Sequence, residues 1–485
     1  MEMSLLYIGV DIGTQGAKAV VYDPRTKEVV ARGGATYGLV TDPKRPGLAE
    51  QDPDVWIQGG KEAIKEAVAS VSDRKRIACI GVSGQQHGLV VLDENKRVLR
   101  RAKLWCDSES NAEAKELSST YGLEIGPSFT ASKVLWLKRN EPETWAKCKH
   151  VLLPHDYFNY WLTGRLVAEA SDASGTGYYD IVERCWSKSK MAAVDPNLCD
   201  YVPPLIGPND IVGNLLSEVA DILGLHQGVT VSPGGGDNAM SALAVGAVSD
   251  GTAVISLGTS GTLFGCSSRP VFDKEGIICA FCDATGKYLP LICTLNCTEV
   301  PQDVRKGTEL GLDEITAAAA SHPAGCEGVN YIPYLRGERT PNWPHASGAL
   351  VGLRQGMLGN PGLLYRAALE GVTYSLLAGV NQMKSYGVSN LENIRLVGGG
   401  AKNPLWVEII ASSFGVPVSL PEETETAALG AALQAAAVQS KAKDIGDFVS
   451  EHAAFKSVVQ PKREDAALYQ AAFERHDSLS KAIFG

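Results

Sequence analysis

The chain has 485 residues, a length that allows two or three domains. Lys plus Arg is 45 and Asp plus Glu is 55, a formal charge of −10, which argues against a dedicated nucleic-acid binder. Hydrophobic content of 45% and charged content of 21% are those of a globular protein and exclude global disorder or coiled coil. No apolar run approaches the roughly 18 residues needed to span a bilayer, so no membrane association is expected. Met1-Glu2-Met3-Ser4 has no basic n-region, and the apolar run that follows is broken by Gly9, so it is not read as a signal peptide. The eleven cysteines are odd in number and scattered, which predicts free thiols in a reducing, cytoplasmic setting.

In chain order, Ser4–Val10 and Ala17–Tyr22 are apolar runs flanking Asp11-Ile12-Gly13-Thr14-Gln15-Gly16 and predict a β-hairpin. Ile77–Val82 is a strand candidate, followed by Ser83-Gly84-Gln85-Gln86-His87-Gly88 and a second apolar run, Leu89–Leu92. Gly234-Gly235-Gly236-Asp237-Asn238 precedes a helix-like run, Ala239–Val245. A polar turn at Val248-Ser249-Asp250-Gly251 marks a domain boundary. A second hairpin, Ala253–Ser256 with Thr262–Phe264, then encloses Leu257-Gly258-Thr259-Ser260-Gly261. The two Gly-Thr turns suggest two lobes of related design.

Cys279-x-x-Cys282 and Cys293-x-x-x-Cys297 could be read as zinc ligands. Two strands, Gly276–Ala284 and Lys287–Leu295, joined at Thr285-Gly286, are the better reading, with the thiols packing as small hydrophobes. Leu369, Val372, Leu376, Val380 and Met383 give a helix near 364–386 that ends at Gly387. Ile394–Val397 is a strand, and the glycine run Gly398-Gly399-Gly400 follows it. Asn403 then caps a helix that starts at Pro404 and stops at Gly415. Glu451 onward is expected to be a terminal helical extension. Strand and helix alternate in both halves, which makes the class α/β.

Several of these residues carry two readings. Asp237 is either a general base at the mouth of a turn or the N-cap of its helix. Asp11 is either a water-mediated Mg²⁺ site or a turn residue. Lys18 is a phosphate contact or a solvated strand lysine. His87, beside Gln85 and Gln86, offers donors and acceptors to a polyhydroxylated ligand or is a surface turn residue. Gly398–Asn403 is a loop where backbone N–H groups can approach a nucleotide. The chain contains neither a Walker-type Gly-x-x-x-x-Gly-Lys-Ser/Thr loop nor a His-Glu-x-x-His pair.

Taken together, Asp11–Lys18, Gly234–Asn238, Ser256–Gly261, Gly398–Asn403 and Ala428-Leu429-Gly430-Ala431-Ala432 resemble, in that order, the FGGY carbohydrate kinases. Ser128–Asn140 is similar to the first signature of that family. Gly348–Leu353 with Ala367-Ala368-Leu369-Glu370 is similar to the second, although Leu363 stands where a polar residue is usual and the spacer is one residue longer. Gly84–Gly88, Leu104–Asp107, Leu152–Tyr157, Ser171–Thr176 and Gly337–Pro341 look most like the ketopentose-kinase branch. Two stretches depart from it. Ser108-Glu109-Ser110 replaces a basic residue common in relatives, and Asn296–Lys306 lacks a Trp-bearing helix start.

The resemblance implies an α/β protein of two-lobed actin/hexokinase-like ATPase fold with a central interlobe cleft. Residues 1–248 would form a sugar-binding N-terminal lobe and 249–485 an ATP-binding C-terminal lobe. It implies ATP and Mg²⁺ as cofactors and a small-molecule sugar as partner, and it leaves room for a homodimer. By the same likeness Asp237 takes the proton from the 5-hydroxyl of xylulose, while Gln86, His87 and Asn238 hold the sugar. Thr14 and Lys18 meet the phosphates with Thr259 beside them, Gly399, Gly400 and Asn403 line the adenosine pocket, and Asp11 holds Mg²⁺. The competing expectations are a kinase of another ketose or polyol, such as ribulose or glycerol, and a sugar-sensing ATP-binding regulator.

Overall fold

The computed structural model describes residues 4–485; Met1, Glu2 and Met3, part of the leader reading, lie outside the described residues. The chain divides into two compact units. The first comprises residues 1–248, 268–289 and 425–454, and the second 249–267, 290–424 and 455–485. The boundary expected at 248/249 is thus interrupted twice, because two later segments return to the first unit.

The first unit is built on a sheet ordered Gly213–Asn214, Thr230–Val231, Ile77–Gly84, Leu6–Ile12, Gly16–Asp23 and Glu28–Thr36. Leu6–Ile12 and Gly16–Asp23 form the expected antiparallel hairpin, with Asp11 opposite Lys18. Ile77–Gly84 lies parallel to Leu6–Ile12, pairing Asp11 with Ser83 and Ile12 with Gly84. The first strand therefore runs past Val10, where the sequence reading ended it, because parallel pairing continues through Ile12. The two-residue strand Gly235–Gly236 pairs with Ser83 and Gly84 on the far side. Asp11, Ser83 and Gly235 are consequently level across three strands, at the C-terminal edge of the parallel set. Open α/β sheets present ligands at that edge.

Side chains alternate across this sheet. Leu6, Ile8, Val10 and Ile12 pack with Trp56, Ile64 and Val68 of the helix Pro53–Ala69. Tyr7, with Cys79 of the neighbouring strand, packs on the opposite face against Ala435 and Ala436 of the helix Thr426–Gln439. Gly9 and Asp11 share that second face by the same alternation. The helix lies close because glycines leave it room. A Cβ on Gly9 would sit 1.8 Å from the Ala428 carbonyl oxygen, and one on Gly81 would sit 2.0 Å from that of Ala431. Small residues in the Ala428–Ala432 motif thus place a chain-distant helix in the first unit.

The second unit repeats the design. Thr252–Leu257 and Gly261–Gly265 form an antiparallel hairpin, and Asn393–Val397 lies parallel to the first strand of that pair. Val418–Pro421 and Phe455–Val459 extend the sheet. A 25-residue helix, Pro361–Ser385, is capped by Asn360, which accepts from the Leu363 N–H. Pro404–Phe414 begins and ends as read from sequence, with Asn403 as N-cap and Gly415 left-handed at the C-terminus. Glu451 onward is not simply helical: Phe455–Val459 is a strand, and only Ala466–Phe484 forms the final helix. The β-branched and aromatic run Phe455-Lys456-Ser457-Val458-Val459 finds an open neighbour in Val418–Pro421 and pairs with it.

Strands at Cys279–Cys282 and Tyr288–Thr294 bracket the turn expected at Thr285-Gly286. All eleven cysteines are free thiols. No helix of the described residues is long and apolar enough to cross a membrane.

Candidate functional site

Asp237 opens the helix Asp237–Ala244 as its first residue, with Gly236 in the capping position. Its Oδ1 accepts from the Asn238 N–H at 2.7 Å and from Asn238 Nδ2 at 2.9 Å. Asn238 Nδ2 also donates to Gln86 Oε1 at 2.8 Å. The structure thus joins three side chains singled out by sequence, Gln86, Asp237 and Asn238, in one hydrogen-bonded group. Gly236 makes space for it, since a Cβ there would lie 2.5 Å from Gln86 Nε2.

Asp11 stands on the other side of the Ser83 strand, and its charge reaches Asp237. Its Oδ1 accepts from Ser83 Oγ at 2.7 Å. Burial raises the Asp11 carboxyl to about 6, with Glu425 adding to the rise and the Ser83 hydroxyl opposing it. Burial, then the charge of Asp11, raises Asp237 to about 7. No lysine or arginine is among the causes for either acid. Two recessed carboxylates that repel each other fit a divalent cation with oxygen ligands and retained waters. Asp237, half in and half out of protonation near neutral pH, is also matched to general-base work.

His87 is buried and takes a left-handed φ of 64°. Its carbonyl accepts from Thr130 Oγ1 and Lys133 Nζ, each at 3.2 Å. The ring stacks on Phe129 at 5.6 Å and 14° and tilts against Phe281 at 5.1 Å. It is not a surface turn residue. Gly175 leaves room for the ring, since a Cβ there would fall 1.7 Å from Nε2.

Thr14 sits in the Gly13–Gly16 turn, closed by the Gly13 N–H to the Gly16 carbonyl at 3.0 Å. Its hydroxyl donates to Gln85 Oε1 and accepts from Trp105 Nε1, both at 3.0 Å. Gln51 Nε2 donates to the Thr14 carbonyl at 2.7 Å and Gln85 Nε2 to Gln51 Oε1 at 3.0 Å. The turn is therefore held by amides that sequence patterns do not single out. Gln85 was legible only as a polar neighbour of Gln86, and Gln51 carried no local signal. Lys18 is exposed, faces Asp11 across the hairpin, and lies over Gly34.

In the second unit, Thr259 is exposed at the tip of its hairpin, where the Gly258 N–H donates to the Ser260 carbonyl at 3.1 Å. Thr298 Oγ1 donates to the Gly258 carbonyl at 2.8 Å. Gly398, with φ 88°, is laid against Leu257: a Cβ would approach the Leu257 carbonyl oxygen to 2.7 Å. This brings the glycine run to the base of the Thr259 turn. Gly399 is exposed, and a Cβ added there would meet nothing within 4 Å, whereas Gly400 is buried against Leu257 and Trp406. Asn403 is buried and already engaged. Its Oδ1 accepts from the Trp406 N–H at 3.2 Å, and its Nδ2 donates to Thr316 Oγ1 and Tyr365 Oη at 3.3 Å each.

Among the described residues, one acidic group has metal-ligand spacing: Glu50, Asp107 and Glu109. The buried Lys103 ammonium occupies it, 2.6 Å from Glu109, 3.2 Å from Asp107 and 3.6 Å from Glu50. Arg45 adds a second cation to Glu109 at 2.9 Å. Glu109 is thus neutralised from within the chain.

Comparison with known proteins places the chain in a family. Residues 6–244 match the N-terminal domain of the FGGY family of carbohydrate kinases, and residues 253–438 match its C-terminal domain. The chain is 35% identical over 491 residues to a xylulose kinase of Haemophilus influenzae, covering 97% of this chain and 98% of the relative. It is 37% identical over 446 residues to a xylulose kinase of Streptomyces coelicolor, covering 89% and 87%. The crystal structure of a xyloylose kinase from Brucella ovis superposes with a TM-score of 0.91 at 32% identity, covering 99% of both chains. The chain belongs to the FGGY family of carbohydrate kinases.

Proposed function

We propose that this carbohydrate kinase transfers the terminal phosphoryl group of ATP to the 5-hydroxyl of xylulose. The observation that carries the reading is the Gln86–Asn238–Asp237 group beside Asp11. Likeness to proteins named xylulose kinase over nearly the whole chain supports the choice of sugar.

Asp237 is read as the base that accepts the proton of the attacking hydroxyl. Gln86, His87 and Asn238 are read as the sugar contacts, with His87 fixed between Phe129 and Phe281. Phosphoryl transfer needs positioning and charge stabilisation more than covalent help from the protein. Thr14 and Lys18 are assigned to the phosphates with Thr259. Gly399, Gly400 and Asn403 are assigned to the adenosine end, Asn403 by shaping the loop, since its side chain is spent on Trp406, Thr316 and Tyr365. Asp11, recessed beside a second acid, is assigned to Mg²⁺, which when bound neutralises charge on the phosphates. The same reading puts the enzyme in the cytoplasm, where its eleven free thiols stay reduced, and leaves room for a homodimer.

The deciding experiment is a coupled ADP-release assay over ketopentoses and polyols. Turnover with xylulose, nearly abolished in Asp237→Ala, is expected. Preference for ribulose or glycerol would reassign the acceptor. Sugar binding without ADP release would replace the enzyme with a regulator.

A further inference from the structure

Asp237 is delivered by Pro233–Gly236, a segment with almost no side chains of its own to anchor it. Side chains from elsewhere hold its backbone instead. His155 Nε2 and Asn159 Nδ2 donate to the Pro233 carbonyl at 2.6 and 2.9 Å. The Gly236 N–H donates to Ser171 Oγ at 3.3 Å. Between them, Gln434 engages Gly234 on both of its polar groups. The Gly234 N–H donates to Gln434 Oε1 at 2.7 Å, and Gln434 Nε2 donates to the Gly234 carbonyl at 3.0 Å. Ser232 Oγ donates to the same Oε1 at 3.1 Å. Gly234 has φ 73°, and a Cβ would lie 2.0 Å from the Val82 carbonyl oxygen, so no larger residue could anchor the segment by packing.

Gln434 is 1% exposed in an otherwise apolar stretch, Ala431-Ala432-Leu433 before it and Ala435-Ala436-Ala437 after it. A buried amide costs free energy unless its hydrogen bonds are made, and these are. Gly430 is one turn earlier on the same helix face. A Cβ there would lie 1.7 Å from the Met240 carbonyl oxygen, on the helix that Asp237 opens. One helix therefore touches the acid's own helix through Gly430 and grips the acid's approach strand through Gln434.

We infer that Gln434 is a positioning residue for Asp237: its paired hydrogen bonds to Gly234 set where the carboxylate stands against the sugar hydroxyl. The inference rests on the reading of Asp237 as the base. It differs from a packing role because what Gln434 fixes is a main-chain register, which a residue of equal volume cannot replace.

The test uses the full chain with Gln434→Met, which keeps the volume and loses the hydrogen bonds, and Gln434→Glu, which keeps an acceptor for Gly234 and has a donor only while protonated. A displaced base is expected to lower kcat with xylulose by about 10- to 100-fold in the methionine variant. The sugar dissociation constant should change little, amide exchange at Gly234 should accelerate, and the glutamate variant should fall between. If Gln434→Met does not fold, Gln434→Glu carries the test, with lowered kcat at unchanged sugar affinity as its expected result. Full kcat in the folded variant, or kcat and sugar affinity lost together with the melting temperature, overturns the inference. Asp237→Asn separates it from the base reading: if that variant is dead while Gln434→Met is fully active, only the positioning role fails, and if Asp237→Asn turns over normally, the base assignment itself fails.

Discussion

Asp11 and Asp237 stand close enough for the charge of one to oppose ionisation of the other, although 226 residues separate them in the chain. They meet because Asp11 and Gly235 both register with Ser83, from opposite sides of one strand.

The raised pKa of Asp237 gives a stability signature. A carboxyl that titrates at about 7 in the folded chain and at 3.8 when unfolded penalises folding once the pH passes the unfolded value, and the penalty is complete above about 7. Asp237→Asn should therefore raise the melting temperature at pH 8. The gain should shrink as the pH falls from 7 toward 4. Calorimetry at several pH values checks this, and a gain independent of pH would show that Asp237 is not perturbed.

The same shift governs turnover. The base works ionised, so kcat/KM should rise with pH as Asp237 loses its proton, and in the metal-free protein the pKa of that step is about 7. Asp11→Asn removes the opposing charge and should lower that pKa. Carboxyl ¹³C resonances of the metal-free protein in both forms would record the direction.

Gly175→Ala should act on sugar affinity. The new methyl would fall 1.7 Å from His87 Nε2, and the ring is confined by Phe129 and Phe281. An increase in KM for xylulose of about 10-fold or more is expected, the loss of one well-placed polar contact being worth about 1.4 kcal/mol or more. Steady-state kinetics with ATP saturating would measure it, and an unchanged KM would remove His87 from the sugar site.

Two glycines should separate folding from nucleotide binding. Gly9→Ala drives a methyl to within 1.8 Å of the Ala428 carbonyl oxygen and must push the helix off the sheet. Overpacking of this kind costs about 1–3 kcal/mol or more. Gly399→Ala meets nothing within 4 Å and should fold normally, yet raise KM for ATP if the turn meets adenosine. Denaturant titration and ATP kinetics on both variants test the pair.

Lys103→Met would leave the buried Asp107 without its cation, while Glu109 keeps Arg45 and Glu50 keeps Arg100. Breaking a buried ion pair from one side costs about 3–5 kcal/mol. Adding Glu109→Gln should recover part of the loss, and a double-mutant cycle in urea measures the coupling.

Local chemistry was readable without coordinates. The hairpins around Gly13-Thr14 and Gly258-Thr259, the cap at Asn403 and the stop at Gly415 all follow from turn residues and strand alternation, which act over a few residues. What only the tertiary structure decided depends on contacts between segments far apart in the chain. The helix Thr426–Gln439 leaves its sequence neighbours for the first unit because Gly9 and Gly81 let it approach. His87 becomes a buried, left-handed residue because Gly175, Phe129 and Phe281 surround it. Gln434, an amide in an alanine-rich helix, acquires its role from Gly234, 200 residues away. Sequence patterns record what each residue does to its own backbone, whereas a neighbour brought in by folding leaves no periodic trace at either position.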